Sequence, residues 1–73
     1  MTPEQIAASL TPAQVRALAV YMDGRDFPSA TVGFSLTSQL LRLDLLENGP
    51  GMTERITPLG LAVLAALDKG VAT

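Results

Sequence analysis

One recurring dipeptide divides the polar and apolar positions of this chain. Thr2-Pro3, Thr11-Pro12 and Thr57-Pro58 each place a hydroxyl directly before a proline. Threonine caps a helix by accepting a hydrogen bond from an otherwise orphaned backbone N–H. Proline suits the first helical position, where its missing N–H costs nothing and its fixed φ already fits. Gln5 and Gln14 stand three residues after the first two threonines and complete a capping-box pattern. Three helix starts are therefore predicted. The segments that follow them differ in length and pattern, so the dipeptide does not mark an internal repeat.

The first start predicts a short helix from Pro3 to about Ser9, anchored by Ile6 and Leu10. The second predicts a helix from Pro12 to about Met22. There Val15, Leu18, Ala19 and Met22 share one face of a 3.6-residue period. Asp23-Gly24 ends it, with glycine free to take a left-handed conformation. The third predicts a helix from Pro58 to about Lys69, with Leu59, Ala62, Val63, Ala66 and Leu67 inward and Gly70 as its stop. Leu61 and Leu64 widen that apolar face beyond what a lone surface helix needs, which predicts contact on two sides.

The middle of the chain is less periodic. Arg25 to Pro28 reads as a polar turn, and Ser29 as the cap of a helical turn reaching Val32. Gly33 interrupts, and Ser35 is then expected to cap a helix over Leu36 to Leu43. In that helix Leu36, Leu40 and Leu43 point one way, and Thr37, Ser38, Gln39 and Arg42 lie largely on the other flank. Leu45-Leu46-Glu47 and Thr53 to Thr57 bracket the spacer Asn48-Gly49-Pro50-Gly51-Met52, the pattern of a small hairpin. Periodicity also permits one helix running from Leu36 to Glu47. The expected fold is mainly α with a small β-hairpin, four to five helices in a single domain spanning 1–73.

Composition narrows the chemistry. The chain has 73 residues, 48% hydrophobic and 16% charged, a balance that favours folding over disorder. A chain of this size buries only about 60% of its unfolded surface, so a partner would help its stability. Cysteine and histidine are both absent, which removes disulfides, zinc fingers, Ser-His-Asp and Cys-His catalysis and imidazole switching. Five basic residues face seven acidic ones, a balance that speaks against avid non-specific nucleic-acid binding. The N-terminus lacks a signal-peptide pattern, and the longest apolar run, Leu61 to Leu67, is too short to cross a bilayer. A cytoplasmic protein without cofactor, metal or membrane association is expected.

Helix, short helix, turn, helix, hairpin, helix is the order of a winged helix-turn-helix, and specific residues carry a resemblance. Val32-Gly33-Phe34-Ser35 looks like the turn of such domains. Leu43-Asp44-Leu45-Leu46-Glu47 is similar to their exit from the recognition helix into the first wing strand. The family usually has glycine where Asp44 stands, and aspartate tolerates the left-handed conformation better than most residues. Arg55-Ile56-Thr57-Pro58-Leu59-Gly60-Leu61 looks like the second wing strand entering a capped C-terminal helix. The chain thus resembles small bacterial and phage winged-helix proteins of the MarR-like kind over roughly Leu10 to Lys69. Its recognition helix and its wing are both short for that family.

The resemblance implies base contacts from Thr37, Ser38, Gln39 and Arg42 with Ser35 at the cap, and phosphate contacts from Asn48 and Arg55 on the wing. Glutamine can pair with adenine and arginine with guanine, each through two hydrogen bonds. A plain solvated helix face, and an Arg55 pair with Glu54 or Glu47, are the alternatives. Phe34 is expected beneath the turn as a core plug. Phe27 is expected in a partly exposed loop. Tyr21, Leu61 and Leu64 are candidate partner contacts, and packing at the edge of the core is the favoured reading for both Tyr21 and Phe27. No carboxylate pair or glycine-rich phosphate loop supports catalysis, so a non-catalytic binder is expected. Two functions remain open: a double-stranded-DNA-binding transcription regulator, homodimeric through its N- and C-terminal helices, or an adaptor or phage-type inhibitor of a host protein.

Overall fold

A computed structural model of the chain describes residues 2–69. Helix α1 spans Pro3–Ser9 and α2 spans Pro12–Val20. A two-residue strand β1, Phe27–Pro28, leads into a 3₁₀ turn over Ser29–Thr31. Helix α3 covers Phe34–Arg42, followed by strand β2 at Leu46–Asn48 and strand β3 at Thr53–Ile56. Helix α4, Pro58–Asp68, closes the described chain. The fold is mainly helical with a small antiparallel sheet in the order β1-β3-β2. The expected stop at Gly70 lies outside the described residues.

All three Thr-Pro starts are helix starts. Thr2 and Thr11 accept the N–H of Gln5 and Gln14, and each glutamine side chain returns a bond to the threonine N–H. Thr57 accepts the N–H of Gly60 at 3.0 Å and donates its own hydroxyl to the Asp44 carbonyl. One hydroxyl thus caps α4 and fastens it to the segment after α3. A backbone bond from Thr57 N–H to the Leu45 carbonyl, 3.1 Å, secures the same junction.

The rival single helix through the middle is excluded by Asp44, whose φ is +61°. Asp44 N–H reaches the Leu41 carbonyl and Leu45 N–H reaches the Leu40 carbonyl, the paired bonds of a Schellman motif. Leu40 and Leu45, both fully buried, make the apolar contact that accompanies it. The left-handed residue turns the chain so that Leu45 and Leu46 enter the core rather than continue a rod.

The core gathers Ile6 and Ala7 from α1, Ala17 and Leu18 from α2, and Leu40 from α3. Leu45, Leu46, Ile56, Val63 and Ala66 complete it with Tyr21. In α2 the buried set is Ala17, Leu18 and Tyr21, so the face is shifted by one position from the expected one and Met22 points out, 59% exposed. Regular helix stops at Val20, and Tyr21, at φ −94°, ψ 5°, stands four and three positions after Ala17 and Leu18, whose face it shares by the 3.6-residue period. Its ring meets Phe27 of β1 edge-on, centroids 5.5 Å apart.

Candidate nucleic-acid interface

Helix α3 begins one residue before the expected cap. Gly33, at φ +99°, occupies the N-cap position, no side chain caps the helix, and Ser35 sits inside the first turn. The earlier start adds Phe34 and Ser35 to the helix and leaves the angular order of the later residues unchanged. Leu36 and Leu43 are half-buried and Leu40 is fully buried, as the leucine spacing requires. Ser35, Ser38, Gln39 and Arg42 are exposed, in agreement with their assignment to the outer flank.

Thr37 and Phe34 depart from it. Thr37 is buried, and its hydroxyl lies 2.9 Å from the Gly33 carbonyl and 3.1 Å from the Ser29 carbonyl. The bond back to the residue four positions earlier is a local alternative that threonine takes readily. Thr37 therefore ties α3 to the turn before it and cannot reach a base. Phe34, expected in the core, is 72% exposed. It stands two residues before Leu36, off the buried stripe, and shares its line on the helix with Ser38 and Arg42.

Gln39 is held in place by a neighbour that the sequence did not single out. The Gln14 amide donates to the Gln39 carbonyl oxygen at 2.8 Å, and the Gln39 amide points to the Ser35 hydroxyl at 3.4 Å. These contacts orient the amide from α2, whose capping box uses the carbonyl oxygen of the same Gln14 side chain.

The hairpin separates residues that the sequence grouped together. Glu47 is opposite Arg55, and Asn48 is opposite Glu54. Directly paired residues share a sheet face and successive residues alternate, so Asn48 and Arg55 lie on opposite faces of the hairpin. Arg55 is engaged by Glu47 at 2.9 Å, with both side chains about half exposed at 47% and 48%. Such a pair contributes under about 1 kcal/mol, and it neutralises the hairpin's only cation. Between the strands, Gly49 N–H bonds the Thr53 carbonyl at 2.7 Å, and the Thr53 hydroxyl bonds the Pro50 carbonyl at 2.6 Å. Gly51 and Met52 both have positive φ, and Met52 is 91% exposed at the tip.

Glu54 faces the other way, 5% exposed, and accepts the Ser29 hydroxyl at 2.6 Å. It joins β3 to the turn that precedes α3. Beside it the Tyr21 hydroxyl is buried and makes no well-formed hydrogen bond among the described residues. Burial raises the Tyr21 pKa above its ordinary value of 10, and the Glu54 carboxylate adds to the rise. The nearby Thr37 hydroxyl opposes both, weakly. Tyr21 is therefore a core residue, deeper than the core edge favoured for it, and its candidacy as a surface partner contact is overturned.

Leu61 is 46% exposed and Leu64 half-buried. With Ala19, Met22, Ala65, Leu67 and Asp68 they line an open groove of about 570 Å³ between α2 and α4. Helix α1 packs chiefly on α4 of the same chain. Leu61 and Leu64, the positions that the sequence offered for a partner, stay on the apolar strip between α2 and α4. Among the described residues no helix is long and apolar enough to cross a membrane, and no group of three metal-ligating side chains forms.

No family model, no curated protein and no solved structure matches this chain.

Proposed function

We propose that this chain is a non-catalytic winged-helix domain that binds double-stranded DNA through the outward face of α3. The observation that carries the reading is the composition of that face. It presents Ser35, Ser38, Gln39 and Arg42 to solvent, and α3 contains no acidic side chain in a chain whose net charge is −2. Its first turn is uncapped by any side chain, which leaves backbone N–H groups pointing outward where a phosphate would be favoured. Preorganisation of Gln39 by Gln14 supports a recognition role for its amide.

Electrostatics sets the strength. With Arg55 engaged by Glu47, Arg42, Arg25 and Arg16 are the exposed arginines without an ion pair among the described residues. About three phosphate contacts per protomer give a salt slope no steeper than about −3 in log K against log salt. Binding is accordingly weak for one copy. A homodimer formed through the α2–α4 groove would double the contacts, and the exposed Leu61 and Met22 favour such pairing.

The test is a salt series on duplex DNA of mixed sequence. Binding at low salt that weakens with a shallow slope is expected, with Arg42→Ala reducing the slope by about one. Absence of binding to any duplex at low salt overturns the reading.

A specific observation favours a second reading. An exposed phenylalanine at the front of α3 and a neutralised wing suit a protein partner of the adaptor or inhibitor kind. Capture of a host protein that is lost with Phe34→Ala, in a chain that binds no duplex, would establish that reading in place of the first.

A further inference from the structure

We infer that Phe34 reads the 5-methyl group of a thymine in the major groove, at a base pair separate from the contact made by Arg42. The inference rests on the DNA-binding reading above and extends it to the chemical feature recognised.

Phe34 is the only aromatic side chain exposed among the described residues, since Tyr21 is fully buried and Phe27 is half-buried against it. It is not a loop residue left outside by chance, because the helix backbone holds it in register with Ser38 and Arg42, four and eight positions on. All three are exposed, so one line along the helix carries an apolar ring, a hydroxyl and a guanidinium. The mixture selects the occupant. An apolar surface would match the ring and leave the guanidinium desolvated, whereas a base-pair edge offers both features within one groove. Thymine supplies the apolar methyl in the major groove, and guanine or a phosphate supplies acceptors for arginine. Ser38, between them, contributes a hydroxyl that serves bases and phosphates alike.

The spacing gives the inference a length. Eight residues of α-helix rise about 12 Å. A helix in the major groove runs obliquely to the duplex axis, so the two ends of the line reach different base pairs of one groove segment. The apolar contact and the arginine contact are therefore read in a fixed order along the site.

The experiment enriches duplexes from a randomised pool on the whole chain, then replaces each thymine of the enriched duplex singly by deoxyuridine, which lacks only the methyl group. One replacement is expected to weaken binding about fourfold, the worth of one buried methyl. That position should differ from the position at which Arg42→Ala relaxes selectivity. Phe34→Ala should bind thymine and uracil duplexes equally, with an unchanged circular dichroism spectrum because the ring makes no core contact. A duplex that enriches but binds identically with uracil at every position overturns the inference and leaves the DNA reading intact. Discrimination that survives in Phe34→Ala overturns it equally. A pool that yields no enriched duplex overturns both, and Phe34 then belongs to a protein-binding surface.

Discussion

Replacing Gly60 by alanine tests whether the junction of α4 with the sheet is as close as described. Gly60 is buried in the first turn of α4. A methyl group there would overlap the Leu45 carbonyl oxygen and come within 2.6 Å of Ile56 Cγ1. The carbonyl belongs to backbone that also accepts the Thr57 N–H, so it cannot retreat without loosening that bond. On helix propensity alone, Gly→Ala stabilises by at most about 1 kcal/mol. Overpacking a tight core site costs about 1–3 kcal/mol, and losing a backbone hydrogen bond costs about 1 kcal/mol more. The net expectation is a destabilisation of about 1–3 kcal/mol. For a domain of this size that lowers Tm by roughly 10 °C. Urea denaturation followed by circular dichroism reads it as a lower midpoint at unchanged slope. The companion change Ala65→Gly, on the exposed side of the same helix, should cost about 1 kcal/mol through propensity alone. If Gly60→Ala proved as stable as the parent or more so, propensity would dominate, and the close approach of α4 to Leu45 would be wrong.

Three further outcomes are expected. Asp44→Gly relieves a left-handed aspartate and should raise stability by about 0.5–1 kcal/mol, whereas Asp44→Val should lower it by about 1–2 kcal/mol; thermal melts of both variants check the sign. The raised Tyr21 pKa means that the unfolded chain ionises first, so its contribution to stability is complete below pH 10 and is lost as pH rises toward the folded value. Urea midpoints measured from pH 8 to 11 should decline above pH 10 in the parent, and Tyr21→Phe, which removes a buried hydroxyl lacking a partner, should remove most of that decline. Leu61→Lys, on the open apolar strip, should leave the melt within about 0.5 kcal/mol and abolish any dimer seen by sedimentation; a dimer that persisted would place the interface elsewhere.

Much of this fold is written locally. Each Thr-Pro start is decided within four residues, because a hydroxyl and a fixed φ, joined at the first two by a glutamine, satisfy the helix end locally. The same holds for the Gly/Pro-rich spacer of the hairpin, which breaks any helix at Gly49 to Gly51, and for the inward leucines of α3. Asp44 was legible as a left-handed stop only through the family resemblance, since the leucine period alone also allowed a rod through Glu47.

The side-chain assignments that changed are those made at the edge of a face. Thr37 precedes Leu40 by three positions and shares its buried side, Phe34 stands two before Leu36 and falls outside it, and Tyr21 follows Ala17 and Leu18 by four and three. A helix face turns by about 100° per residue, so which of two neighbouring positions is buried depends on where the packing partners sit. The partnership of Gln14 with Gln39, the burial of Glu54 against Ser29 and the separation of Asn48 from Arg55 join residues far apart in the chain or set them on opposite strand faces. Local pattern carries no term for such pairs. The sequence by itself therefore determined which elements exist and where most of them start. Only the packing of α2, α3 and the sheet decided which polar groups remain free to meet a partner, because burial is a property of neighbours and not of spacing.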